Sequence, residues 1–356
     1  MGKKVILISV IIAAFSAFLG ERLMTIRKRC HATRELIPNH LPNCKHIKGL
    51  EYGSEDITML PGGLALISTG LKYPGMPSFS DGPGKIYLLD IESDRKRPVE
   101  LRMGRGFDLE SFNPHGISVY TDADGAIHLF VVNHPQSQSQ VEIFRFLEEE
   151  NTLEYLKTIK HELLHSVNDI VALGAESFYA TNDNYFSNGI LKMLGLFLSL
   201  PWCTVVYYSP EEVKVVAEGF YMANGINVSP DKKHIYVADI LDSKVHVMER
   251  QDSNDLIPVK FVDVGSLVDN IEVDPETGDL WLGCHPNAWK AFLNDIEDPP
   301  GSEVIKIENI LSDQPTVNQV FMDDGSVIIG SSVATLYGGK VLIGSVYHRA
   351  LCCDLK

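Results

Sequence analysis

Hydrophobic residues along the chain fall in short runs of about four to eight, alternating with polar positions and bounded by Gly, Pro, Asn and Asp, which reads as strand rather than helix. Six such runs are "GLALIST", "AIHLFVVNH", "ESFYATND", "HIYVADI", "DLWLGCHP" and "KVLIGSV". Each follows a recurring pattern: two polar or Gly positions, a β-branched residue, a few strand formers and, in most copies, a Pro/Asp/Gly turn. The pairs are Glu55-Asp56 before Ile57, His115-Gly116 before Ile117, Asn168-Asp169 before Ile170, Asn224-Gly225 before Ile226 and Asp269-Asn270 before Ile271, with a weaker copy in Ser331-Ser332 before Val333. Copies begin roughly 45 to 62 residues apart, a period that signals blades or solenoid coils. Further runs such as "GKIYLLDI", "VEIFRF", "TVVYYS", "KVHVMER" and "EVIKI" lie between them, and long helices are scarce. The pattern predicts an all-β, six-bladed β-propeller in one domain.

A propeller brings equivalent positions of its innermost strands to one rim of a central channel. Glu55, His115, Asn168, Asn224, Asp269 and the neighbourhood of Ser332 are then expected to form a ring. A single Asn-Asp pair is ordinarily a strand cap or a turn; recurrence at equivalent positions is what points to ligands. Hard oxygen donors of mixed Asp, Glu and Asn character suit Ca²⁺, and the chain has no cluster with zinc spacing. Strand alternation predicts that Asn168 and Asp169 serve different centres. His115 and His134, on two candidate strands of one repeat, are positioned to be neighbours and candidates for proton transfer. No G-x-S-x-G elbow suggests a serine nucleophile, and the adjacency of Cys284 and His285 does not by itself make a thiol dyad.

Composition narrows the picture. The 356 residues are 45% hydrophobic, enough for a large core, and the net charge of −16 with a pI near 5.2 argues against a nucleic-acid partner. Six cysteines, at 30, 44, 203, 284, 352 and 353, form neither metal spacing nor a dense disulfide framework. A bond between Cys44 and the C-terminal pair would close the ring.

The segments "GSEDI", "LKYPGM", "FNPHGIS", "FVVNHP", "NDIVALG", "FYATND", "ANGINVSPD", "LVDNI", "DPETGDLW" and "GCHPN" resemble the serum paraoxonase family, from about residue 30 to the C-terminus. The resemblance implies a six-bladed propeller with two calcium ions in its tunnel, hydrolysing lactones and aryl esters. It places the catalytic-calcium ligands on Glu55, Asn168, Asn224, Asp269 and Asn270, and the structural-calcium ligands on Asp56, Asp169 and the carbonyl of Ile117. It matches His115 and His134 to the family's dyad, and Tyr73, Met222, Cys284, His285 and Phe292 to the pocket or its neighbourhood. Met222, Asn184 and Asn294 depart from the residue types of other members, which leaves substrate preference open. The implied disulfide is Cys44 to Cys353, with Cys352 the alternative partner and Cys284 a free thiol.

In the mechanism so implied, calcium polarises the carbonyl and His115, assisted by His134, activates water; Glu55 or Asp269 is an alternative base. Two other functions fit the repeat pattern: a lipid- or lipoprotein-associated binding protein braced by structural calcium, and a propeller hydrolase of sugar lactones or organophosphate esters.

Lys3 and Lys4 followed by the apolar run Val5 to Leu19 have the build of a secretory leader, here taken as residues 1–20 ahead of a propeller over 21–356. The run is shorter than the roughly 20 residues of a full span. The best cleavage pattern, Ala14-Phe15-Ser16, is weak and the resemblance implies a retained leader, although cleavage stays open. The expected location is the secretory pathway, extracellular or membrane-anchored. A second apolar segment, "NGILKMLGLFLSLPW", either buries one side on the blades or, as the resemblance implies, meets a membrane or lipoprotein surface. The sequon at Asn227 lies on an expected inner strand, an improbable place for a glycan.

Overall fold

The computed structural model describes residues 2–72, 80, 82–93, 96–293, 295, 297–346 and 348–355. Six antiparallel sheets follow one another around a central channel. Their innermost strands are Ile57–Leu60, Pro114–Thr121, Val167–Ala172, Ala223–Val228, Leu267–Val273 and Ser331–Tyr337, each opening one blade. All six second strands match the predicted runs, from Leu64–Thr69 in blade one to Lys340–Ser345 in blade six. Blade two carries an additional short strand, Arg102–Met103, paired parallel to its outermost strand.

The core lies between blades, because each sheet buries apolar residues from both faces against its neighbours. Val245 and Val247 of blade four pack with Ile271, Leu282 and Ile305 of blade five. Phe130 and Ile143 of blade two pack with Ile170 and Phe178 of blade three. Burial on both faces explains the near-continuous apolar runs of the second strands, such as the fully buried Phe178–Asn182. Outermost strands are far more exposed, and Leu256–Asp263 exposes most of its length.

Blade six draws on both ends of the chain. Its outermost strand, Lys45–His46, pairs antiparallel with Leu351–Asp354, setting Lys45 opposite Cys352 and His46 opposite Leu351. The Cys44–Cys353 disulfide fastens this junction, and Cys352 stays a buried free thiol.

Among the described residues three α-helices lie outside the blades: α1 (Gly2–Arg29), α2 (Gly189–Leu198) and α3 (Trp289–Leu293). Helix α1 runs well past the apolar Val5–Leu19 stretch, and by length and composition it is long enough to cross a membrane. The continuous apolar run understated this, because the helix continues through the polar residues beyond it. Its C-terminal end sits on the propeller: Arg29 donates to the Leu241 carbonyl at 2.8 Å and stacks 3.7 Å from the Tyr221 ring centre. Cys30 is buried against Ile240, Leu241 and Leu267. Beyond it Arg34 makes a two-pronged contact with the buried Glu303, both bonds at 2.8 Å. Asn188 caps α2 by accepting from the Ile190 and Leu191 amides. No residue of α2 is fully buried: Ile190 is 80% and Met193 64% exposed, while Leu196 packs against Ile240, Leu241 and Leu267.

Closing a ring across 309 residues makes the disulfide a large constraint on the unfolded chain. Cys44→Ser is expected to lower unfolding free energy in urea by about 2–5 kcal/mol. Cys352→Ser should leave the Cys44–Cys353 pair intact in a non-reducing peptide map, and a Cys44–Cys352 peptide from the wild-type chain would contradict this arrangement.

Candidate active site

Each polar pair sits at an irregularity in its inner strand. In blade three, Val167 faces Asn182 and Ile170 faces Ala180, so Asn168 and Asp169 together oppose Thr181 alone. The same two-against-one step sets His115-Gly116 against Val132, Asn224-Gly225 against Ala238 and Asp269-Asn270 against Gly283. In blade one the Glu55 amide donates to the Ser68 carbonyl at 3.1 Å while the Ser68 amide donates to Asp56 at 3.0 Å. Blade six shifts register at Ser332. The recurring motif is therefore a repeated β-bulge, a device that re-aims side chains beside functional sites. Asn168 and Asp169 both sit at this step.

Neighbouring bulges are joined around the channel. Asp56 accepts from the Ile117 amide at 2.7 Å and Asp169 from the Ile226 amide at 2.8 Å, each tying its blade to the next. Thr181 donates to the Asn224 carbonyl at 2.6 Å, and Ser332 donates to the Glu55 carbonyl at 2.6 Å. Asn270 reaches from blade five to blade one, donating to Glu55 Oε1 at 2.9 Å. Two glycines permit this closeness. A Cβ on Gly116 would stand 2.3 Å from Asp169 Oδ1, and one on Gly225 would stand 2.4 Å from the Asp269 carbonyl oxygen.

The side chains at this rim are buried yet incompletely satisfied. Glu55 Oε2, Asn168 Oδ1, Asn224 Oδ1 and Asn270 Oδ1, all of them acceptors, have no hydrogen-bond partner among the described residues. Buried acceptors without donors are costly, and four together suit a hard cation. Burial, then the charges of Asp269, Asp56 and Asp169, pushes the Glu55 carboxyl well above its usual range. Burial also raises Asp56 to about 7, and it raises Asp169 far up with Asp56 as the next cause. Positive charge in the channel would offset these penalties. No three His, Cys, Asp or Glu side chains gather as a metal-binding group among the described residues, so the fit rests on carboxylates mixed with amides. Farther along, Asp56, Ile117 and Asp169 line a cavity of about 220 Å³. Glu272 lines it as well, and the desolvation of its surroundings raises its carboxyl strongly. Sequence reading missed Glu272, although it follows the fifth doublet by only two positions.

His115 and His134 meet as the sequence predicts, Nδ1 to Nε2 at 3.0 Å. The network assigns the tautomers. His134 Nδ1 faces the Gln138 carbonyl at 3.2 Å, which can only accept, so Nδ1 carries the hydrogen and Nε2 a lone pair. His115 must then donate from Nδ1, leaving the lone pair on Nε2, 3.5 Å from Glu55 Oε1. Burial lowers both imidazoles; His134 lowers His115 further, whereas Asp183 and the Gln138 carbonyl partly restore His134. Burial thus disfavours the charged form of both rings. Gln138 escaped notice because its side chain is irrelevant to what its backbone does.

Other predicted positions divide. His285 pairs with Asp269 at 2.8 Å, so it touches a predicted ligand directly. Cys284 is a buried free thiol, raised well above its usual value by burial. Met222 packs with Tyr221 and Trp289 against the buried Leu241 and Leu267, beneath the helices. Asn184 donates to Asp183 at 2.8 Å, beside a cleft that Lys192 and Trp202 also line. Asn227 donates to the Ile271 carbonyl at 2.7 Å from inside its strand. Tyr73 and Asn294 lie outside the described residues, and Phe292 is described by its backbone alone.

The fold is a six-bladed β-propeller whose polar doublets gather at one rim of the channel. The chain belongs to the arylesterase family, whose model matches residues 35–355. It is 57% identical to serum paraoxonase/arylesterase 2 of Gallus gallus over 356 residues, covering 100% of each. Identity to serum paraoxonase/lactonase 3 of Homo sapiens is 53% over 356 residues, again covering 100% of each. Among solved structures, a luciferin-regenerating enzyme superposes with TM-score 0.53 at 12% identity, covering 88% of this chain and 99% of that one. A putative gluconolactonase gives TM-score 0.53 at 14% identity over 90% and 94% of the two chains. These distant structures share the fold.

The close approach at the bulges is open to a direct check. Gly225→Ala drives a methyl into the backbone of Asp269 and should cost about 1–3 kcal/mol or more in a thermal melt. A variant as stable as the wild type would contradict the contact.

Proposed function

We propose that the protein is a calcium-dependent hydrolase of lipophilic lactones and aryl esters, with a histidine pair activating water. The observation that carries this reading is the set of four rim oxygens without a partner among the described residues, beside the His115–His134 pair. Glu55, Asn168, Asn224, Asp269 and Asn270 would hold one calcium, and Asp56, Asp169 and the Ile117 carbonyl a second. When bound, the rim calcium supplies Lewis acidity to the substrate carbonyl and offsets the negative charge that develops there.

The protein's own groups manage the proton. Water adds to the carbonyl carbon as its proton passes to His115 Nε2. His134 Nε2 accepts the Nδ1 hydrogen bond and shares the positive charge, held in the right tautomer by Gln138. The ring C–O bond then breaks, the proton passes to the departing alkoxide, and a hydroxy acid results. His285, bonded to Asp269, fixes that carboxylate's orientation. The names of the relatives, arylesterase and lactonase, support the substrate class.

Exposed apolar residues of α1 and α2 support attachment to a membrane or lipoprotein surface. Arg22 of α1 donates to the Leu198 carbonyl at the end of α2, at 3.0 Å, so the two helices form one apolar face. A retained α1 would anchor the chain outside the cytosol after entry to the secretory pathway.

A long-chain γ- or δ-lactone should be turned over only without chelator. Asp269→Ala and His115→Gln should each lower kcat/KM by about 10²-fold or more, and a small polar lactone should be a poor substrate. No turnover by folded, calcium-replete protein would favour a binding protein instead. Ile190→Asp with Met193→Asp should weaken co-sedimentation with phosphatidylcholine vesicles by about tenfold or more, since each buried side chain contributes about 1.5–3 kcal/mol.

A further inference from the structure

Behind the histidine pair, in blade two, lies a carboxylate that the proposed chemistry does not use. Glu142 is buried on the third strand and forms no ion pair among the described residues. Three uncharged donors hold it instead: Asn133 Nδ2 at 2.8 Å and Gln140 Nε2 on one oxygen, Thr158 Oγ1 on the other.

An ionised carboxylate only accepts, so it forces the Asn133 amide to present its NH₂ group. The Asn133 oxygen must then face the other way, and there it accepts from the Asn113 backbone amide at 2.9 Å. Asn113 grips His134 from both sides: its carbonyl accepts from the His134 amide at 3.0 Å, and its Nδ2 donates to the His134 carbonyl at 3.5 Å. The same side chain clasps the backbone of Lys72, accepting from its amide at 2.7 Å and donating to its carbonyl at 2.9 Å. Lys72 immediately precedes Tyr73 in the sequence.

We propose that Glu142, acting through Asn133 and Asn113, is a positioning residue for the reaction: it fixes the backbone of His134, and with it the His115–His134 geometry, together with the Lys72 segment. This rests on the histidine-pair reading above. The relay has a direction, since acceptor-only Glu142 sets one amide, which sets the next donor. A glutamine at 142 has nearly the same shape but lets the Asn133 amide turn over. Proton transfer is sensitive to such small displacements of a base.

The test uses the full chain with calcium and a long-chain lactone, in a cycle of Glu142→Gln, Asn113→Ala and His134→Gln. Glu142→Gln is expected to lower kcat about tenfold with KM within about twofold. Glu142→Asp, which keeps an acceptor-only group, should recover part of that loss, as a purely packing role would not predict. Asn113→Ala, at a half-buried position, should lower kcat in the same way and decides the matter if the Glu142 variants do not fold. In the His134→Gln background neither change should have further effect. Wild-type kcat in both single variants, or losses that multiply with that of His134→Gln, overturn the relay. Wild-type kcat in His134→Gln itself overturns the histidine-pair reading, and the relay with it.

Discussion

Negative charge and lone pairs crowd the centre of this molecule, and the rest of the architecture is arranged around containing them. Glu55, Asp56, Asp169 and Asp269 are all buried along one channel. Backbone amides from adjacent blades offset part of the cost, as Ile117 and Ile226 do for Asp56 and Asp169. Those bonds also hold blade to blade, so the electrostatics of the channel and the closure of the ring are one problem. A bound cation would complete the compensation and stiffen the ring by the same act.

The bulge is what makes the arrangement repeatable. An extra residue at one level of the inner strands of blades two to five lets two consecutive residues face one on the partner strand. Four different residue pairs, in blades two to five, use the same backbone step to place an imidazole, an amide or a carboxylate. Chemical variety thus comes from substitution at fixed geometry, while the glycines at 116 and 225 mark where two such steps come too close for any side chain. Blade six, with serines, contributes hydroxyl bonds and no charge.

Much of this was legible in the sequence. Inner and second strands stood out because burial on both faces leaves little polar residue in them, and the doublets recurred at fixed places. The His115–His134 contact followed from their neighbouring places in one repeat, His115 on the inner strand and His134 just past the end of its partner. Outermost strands such as Leu256–Asp263 and Thr316–Asp323 were not anticipated, since mostly exposed edges leave no apolar signature. The bulges were read as simple strand starts, because the register of one strand against another is invisible along a single chain. Backbone contributors such as the Gln138 carbonyl leave no trace in residue identity, and nothing in the run "VEIFRF" marks Glu142, because its neighbours across the sheet are invisible along the chain.

The sheet that joins residues 45–46 to residues 351–354 also sets an order of events during synthesis. Blades one to five lie wholly within residues 55–323 and can assemble as the chain emerges, by contacts between neighbours in sequence. Blade six has no partner for its outermost strand until the final residues have left the ribosome. Glu55 likewise meets Asn270 and Ser332 only when the two ends of the arc come together. An arc of five blades, its last edge unpaired and its charged channel still open along one side, is therefore the form in which most of the nascent polypeptide must wait.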